Sequence, residues 1–238
     1  MAKGFFITGT DTGVGKTVIS SALAAVLNSE TSSVVVYKPI QTGIFEKTQG
    51  GFAEDIVFVK YFANLSCSFA EMNTYTLPAP FSPHLAAELA GMRINVSDIL
   101  SHYKTLQKKY QWILVEGAGG LGVPINRNGF LMADLVKEMN LPLIIVTRVS
   151  VGTINHTLLT VKFARSFGLE IKGLIFNQMP KKIGPPERDN PNIISKLTGL
   201  PVLGIFPKIN GLKEGKVNAA MFNRIVSQVF KGINWFEN

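Results

Sequence analysis

The 238-residue chain contains a single cysteine, Cys67. One thiol cannot pair within the chain, so a disulfide framework and a multi-thiolate zinc site are excluded, and a reducing cytoplasmic location is expected. No apolar run approaches the roughly 20 residues needed to cross a bilayer, so no membrane partner is expected. The opening MAKGFFITGT reaches a glycine-rich turn by Gly9, leaving no room for the apolar stretch and cleavage region of a secretory signal. Charged residues are sparse, 17 % against 46 % apolar. That balance excludes a disordered chain and supports a sizeable core. The length suits one α/β domain over residues 1–238.

Acidic residues are the scarcer sign, 16 against 24 Lys and Arg, for a net charge of +8. The bases are scattered, densest between Lys181 and Lys231, and their longest runs are the pairs Lys108–Lys109 and Lys181–Lys182. No aromatic stacking pattern interleaves them, so no nucleic-acid partner is expected. The surplus suits polyanionic ligands such as nucleotides.

Short, nearly continuous apolar runs predict strands over Gly4–Thr8, Val34–Lys38, Trp112–Glu116, Leu143–Arg148, Lys172–Asn177 and Val202–Phe206. Such runs belong to strands covered on both faces. Helical patterning falls between them, over Lys16–Leu27, Glu54–Phe62, Pro83–Ala90, Val96–Lys109, Met132–Glu138, Ile154–Phe167, Asn192–Leu197 and Val217–Phe230. The alternation predicts a mostly parallel sheet with helices on both faces. Met179–Pro191 reads as a surface loop. Ligands of open parallel sheets bind outside the carboxyl ends of the strands, so six strand ends should converge on one functional rim.

The strongest motif on that rim is Gly9-Thr10-Asp11-Thr12-Gly13-Val14-Gly15-Lys16-Thr17, between a strand and a helix. Gly13 and Gly15 allow successive N–H groups to point inward as an anion nest, and the helix start adds partial positive charge. Lys16 is placed to reach the β- and γ-phosphates, and the Thr17 hydroxyl to ligate Mg²⁺. The spacing departs from the common pattern: Thr10 stands where the first glycine usually lies. Glu116 ends an apolar strand where a second metal-binding carboxylate is expected, and Gly117-Ala118-Gly119-Gly120 lets backbone approach a ligand closely. Asp55 fits either a metal ligand or a solvated charge at a helix start.

TGTDTGVGKT, YKPIQTG, VEGAGG and GTINH, in this order over nearly the whole chain, resemble the dethiobiotin synthetases. The resemblance implies a P-loop NTPase-like fold and an ATP- and Mg²⁺-dependent ligase that closes a ureido ring from 7,8-diaminopelargonic acid and CO₂. It implies Lys38 and Lys16 as catalytic cations, and Thr17, Asp55 and Glu116 as metal ligands. Gly13 to Val18, Glu116 to Gly119, Asn177 and Gln178 would contact the nucleotide. Pro207, Lys208 and Ile209 would close over the base. Thr12, Lys38 and Thr42 would face the substrate, and Gly152 and Asn155 would hold its distal carboxylate at a helix start. In related proteins that last loop comes partly from a second subunit, so a homodimer with shared sites is implied. His156 reads as a packing or polar residue, and His84 carries no assigned chemistry. Two relatives of the fold fit less well. Cobyrinic and cobyric acid amide synthases carry a glutaminase cysteine that Cys67 does not match. Partition-type ATPases carry a lysine early in the phosphate loop, where this chain has Asp11.

Overall fold

The computed structural model describes residues 2–31, 33–44, 54–212, 215–233 and 235; Met1 and Asn238, the ends of the expected domain, lie outside them. Seven parallel strands form one sheet: β1 (Lys3–Gly9), β2 (Val34–Thr42), β3 (Asn73–Leu77), β4 (Trp112–Glu116), β5 (Leu143–Arg148), β6 (Ile171–Met179) and β7 (Val202–Pro207). Their order is β3-β2-β4-β1-β5-β6-β7, so β1 is central and the chain reverses direction beside it. The helices are α1 (Lys16–Thr31), α2 (Glu54–Phe62), α3 (Phe69–Met72), α4 (Pro83–Leu89), α5 (Val96–Lys109), α6 (Met132–Met139), α7 (Thr153–Ser166), α8 (Pro185–Thr198) and α9 (Ala219–Val229). Right-handed crossovers running in opposite directions from β1 must place their helices on opposite faces. Accordingly α1, α2 and α9 pack together, α5 meets α6, and α7 meets α8.

Central strands are apolar on both sides because both faces are covered. Phe5, Phe6 and Ile7 of β1 and Leu143 to Val146 of β5 are all buried. Each such side chain contributes about 1.5–3 kcal/mol of transfer free energy. The core also shapes the rim. A side-chain carbon at Gly117 would come within 2.8 Å of the Phe6 ring, so the turn after β4 needs glycine there.

Three expectations need correction. The strand expected to end at Lys38, before Pro39, runs on as β2 to Thr42. Pairing with β4 stops at Tyr37, and pairing with β3 begins at Lys38. The Lys38 carbonyl points toward β3, where it accepts a 2.7 Å hydrogen bond from Asn73 Nδ2. The missing Pro39 N–H therefore faces the side on which β4 has already ended, and no ladder bond is lost. Secondly, β3 and the single turn of α3 had no counterpart among the expected elements. Thirdly, the expected loop Met179–Pro191 becomes helix from Pro185 onward. Prolines are tolerated in a first helical turn, and the Gly184 N–H is satisfied by Glu187 Oε2 at 3.0 Å.

Candidate active site

All seven strands point their carboxyl ends at one rim, and a cavity of about 1430 Å³ opens there. Its wall takes the phosphate loop from Thr12 to Val18 without Val14, which is buried beneath. Lys38 and Thr42 come from β2, Asp55 from α2, Glu116 to Gly119 from the end of β4, Asn177 and Gln178 from β6, and Pro207 to Ile209 from the end of β7. Five separated segments of the expected site are thus brought to the phosphate loop. Gly152 and Asn155 are not in this wall; both are exposed at the start of α7, beside Val151, which is 85 % exposed.

The loop holds its shape through left-handed backbone at Gly13 (φ 73°) and Gly15 (φ 93°), followed at once by α1. Three side chains brace it from outside. Asn177 Nδ2 donates to the Val14 carbonyl at 2.9 Å, Gln178 Nε2 to the Gly13 carbonyl at 2.9 Å, and Arg148 Nη2 to the Thr12 carbonyl at 3.2 Å. The carbonyls are thereby tied outward, as an inward-facing nest of N–H groups requires. Asn177 and Gln178 were expected to contact the nucleotide. One N–H of each amide is engaged with the loop, which leaves the second N–H and the side-chain oxygen of each for a base. Sequence reasoning did not find the role of Arg148; an Arg closing an apolar strand beside a phosphate loop was the available signal.

Two ammonium groups share the rim. Lys16 Nζ donates to the Asp11 carbonyl at 3.3 Å, and Lys38 forms ion pairs with Asp55 and with Glu116 Oε1, the latter at 3.0 Å. Burial pushes the Lys16 amine down, and the positive charge of Lys38 adds to this, while Glu116 and Asp55 oppose it. Burial acts on Lys38 in the same sense, yet Glu116 and Asp55 outweigh it and its pKa lies above the ordinary lysine value. Lys38 is therefore held charged although only 7 % exposed.

The Thr17 hydroxyl donates to the same Glu116 Oε1 at 2.8 Å. Glu116 is 1 % exposed, and its Oε2 is buried with no hydrogen-bond partner among the described residues. Thr17, Asp55 and Glu116 thus converge as hard oxygen donors. Mg²⁺ takes one or two carboxylates and completes its shell with phosphate and water, so this set fits it. The described residues contain no group of three or more His, Cys, Asp or Glu that would suit a metal held by protein alone.

Also in the wall, and not anticipated, are Val57, Phe58 and Tyr61 of α2, Phe81, and Leu212. These add apolar surface to the wall. Among the described residues no helix is long and apolar enough to cross a membrane.

A phosphate loop feeding a helix from the central strand of a parallel sheet, with an acidic residue closing the neighbouring strand, places the protein among the P-loop NTPase-like α/β proteins. The solved septum site-determining protein MinD of Pyrococcus horikoshii, complexed with Mg-ADP, shares this fold with a TM-score of 0.60 at 16 % identity, over 97 % of this chain and 93 % of that one. A family model described as "AAA domain" matches residues 3–216. The ATP-dependent dethiobiotin synthetase BioD of Bacillus subtilis strain 168 is 42 % identical over 213 residues, covering 89 % of this chain and 90 % of the relative. The protein of the same name from Thermodesulfovibrio yellowstonii is 37 % identical over 224 residues, covering 91 % and 93 %. The chain belongs to the dethiobiotin synthetase family.

Proposed function

We propose that the protein, as one domain over residues 1–238, closes the ureido ring of dethiobiotin from 7,8-diaminopelargonic acid, CO₂ and ATP in the cytoplasm. One amine adds to CO₂ and loses a proton, giving a carbamate. The carbamate oxygen attacks the γ-phosphorus, and ADP departs. The second amine then attacks the carbonyl carbon of this mixed anhydride, the C–O bond to phosphate breaks, and ring closure releases phosphate and a proton.

Charge neutralisation and alignment carry most of such a phosphoryl transfer. Inward N–H groups of the Gly13–Thr17 turn and the start of α1 receive the β-phosphate. Lys16 sits at that turn to follow charge onto the β–γ bridging oxygen. Lys38 reaches from β2 toward the carbamate and the transferring phosphoryl group. Thr12 and Thr42 flank it with hydroxyls suited to the two amines. Mg²⁺, held by Thr17, Asp55 and Glu116, would supply further positive charge at the β- and γ-phosphate oxygens. Gly152 and Asn155, exposed and outside this chain's cavity, serve the substrate carboxylate of a second copy in a homodimer.

The observation that carries this reading is the convergence of Lys16, Lys38, Thr17, Asp55 and Glu116 on one rim in a chain of this family. The test combines purified protein with MgATP, labelled bicarbonate and 7,8-diaminopelargonic acid. Label entering an acid-stable product only when all are present is expected. No incorporation by folded protein, or ATP hydrolysis stimulated by DNA or lipid vesicles rather than by the diamine, would overturn it.

A further inference from the structure

Lys38 does not point freely into the cavity. Its ammonium is bonded to Asp55 and to Glu116 Oε1, the two carboxylates that fit a divalent cation. The third donor, the Thr17 hydroxyl, is bonded to the same Glu116 oxygen. One cation, on a side chain only 9 % exposed, thus occupies the meeting point of the whole donor set. A divalent ion cannot take those oxygens while the ammonium stays: the two would share ligands at hydrogen-bond distance, and like charges repel most where water is excluded. Asp55 and Glu116 are the two carboxylates that Lys38 holds, and Asp11 adds its charge at Lys16. A bare divalent ion must compete with the Lys38 ammonium for those oxygens, whereas a metal–nucleotide complex brings its own negative charge.

We infer that Lys38 is a stand-in for the divalent cation in the nucleotide-free protein, and that Mg·nucleotide displaces its ammonium from Glu116 and Asp55 into the cavity. The catalytic ammonium is then withheld from the transferring phosphoryl group until metal and nucleotide are seated. This deepens the function proposed above and rests on its Mg·nucleotide site.

The test reads cation binding and geometry, not turnover. Mn²⁺ alone, followed by electron paramagnetic resonance, should bind the native protein weakly, and Lys38→Met about tenfold or more tightly, since the competing charge is gone. Calorimetry should show Mg·ADP binding to Lys38→Met at least as tightly as to native protein, with ADP binding in the absence of Mg²⁺ little changed. Equal Mn²⁺ affinity, or weaker Mg·ADP binding by the variant, would overturn the inference. A structure of the native protein with Mg·ADP decides it without any variant. Lys38 Nζ should lie beyond hydrogen-bond distance of both carboxylates; Nζ still on both, with the metal bound, contradicts it. Failure of the labelled-bicarbonate reaction would strike the proposed function instead, so the two are separable.

Discussion

Replacing Gly15 with alanine should disable nucleotide binding by an amount that follows from two contacts. The backbone there has φ 93°, and an added methyl carbon would stand 2.0 Å from Asn177 Nδ2. Left-handed backbone costs an L-residue about 1–2 kcal/mol. The methyl must also push the Asn177 amide off the Val14 carbonyl, and an unsatisfied buried acceptor costs a further 1–3 kcal/mol or so. The sum, about 2–5 kcal/mol, corresponds to a loss in Mg·ADP affinity of roughly 30-fold to a few thousand-fold, if borne by the loop. Gly129→Ala is the control. Its backbone is also left-handed, at φ 82°, but nothing lies within 4 Å of the new carbon. It should bear only the backbone cost, a fall in Tm of about 2–8 °C, with nucleotide affinity unchanged. Calorimetric titration with Mg·ADP and thermal unfolding of both variants give the comparison. A Gly15→Ala protein that binds Mg·ADP within threefold of native would refute the reasoning.

Lys38→Met should lower turnover by about a thousandfold, in the range seen when one preorganised charge stabiliser is lost, with native circular dichroism; near-native rates would remove Lys38 from the chemistry. Glu116→Ala should bring the ADP dissociation constants measured with and without Mg²⁺ close together, and an undiminished Mg²⁺ effect would reject Glu116 as a ligand. Away from the site, burial acts to raise the Glu71 pKa, but hydrogen bonds from Lys109 and from the Ser68 N–H and hydroxyl outweigh it and hold the carboxyl at about 2. A folded pKa below the unfolded value of about 4.3 stabilises above that pH and is lost as pH falls toward 2. The Glu71 side chain is 22 % exposed, so the contribution is discounted for solvent screening to about 1 kcal/mol. Glu71→Gln should therefore lower Tm by about 2–4 °C at pH 7 and converge with native protein near pH 2, whereas a gap independent of pH would exclude the mechanism.

The central strands were legible because both of their faces are buried: β4 and β5 have the bounds that their apolar runs predict. The edge strand β3 was not, since Asn73-Thr74-Tyr75-Thr76-Leu77 has only Leu77 fully buried and carries no continuous apolar run. Its pairing depends on partners distant in sequence, such as Lys38 opposite Asn73. Pro39 and Pro191 misled for different reasons. The missing N–H of Pro39 faces a side where no strand waits for it, whereas Pro191 sits inside α8 and gives up the bond to the Glu187 carbonyl, a loss the helix bears. In the site, the placement of Gly13 to Thr17 and Glu116 at strand ends was readable from residue type, whereas Lys38 was singled out only by the family motif around it. Asp55 was ambiguous until the fold placed α2 against β2. The grip of Asn177, Gln178 and Arg148 on the loop carbonyls spans more than 130 residues and is a property of the fold alone.

Whether Lys16 and Lys38 jointly hold a γ-phosphate against a carbamate can be read from the fate of one oxygen atom. Phosphate released in a rapid reaction with ¹⁸O-labelled bicarbonate should carry one heavy oxygen per dethiobiotin formed, because the carbamate oxygen accepts the phosphoryl group and leaves with it. Unlabelled phosphate alongside labelled dethiobiotin would mean that no carbamate oxygen was ever phosphorylated, and that the two cations serve some other chemistry.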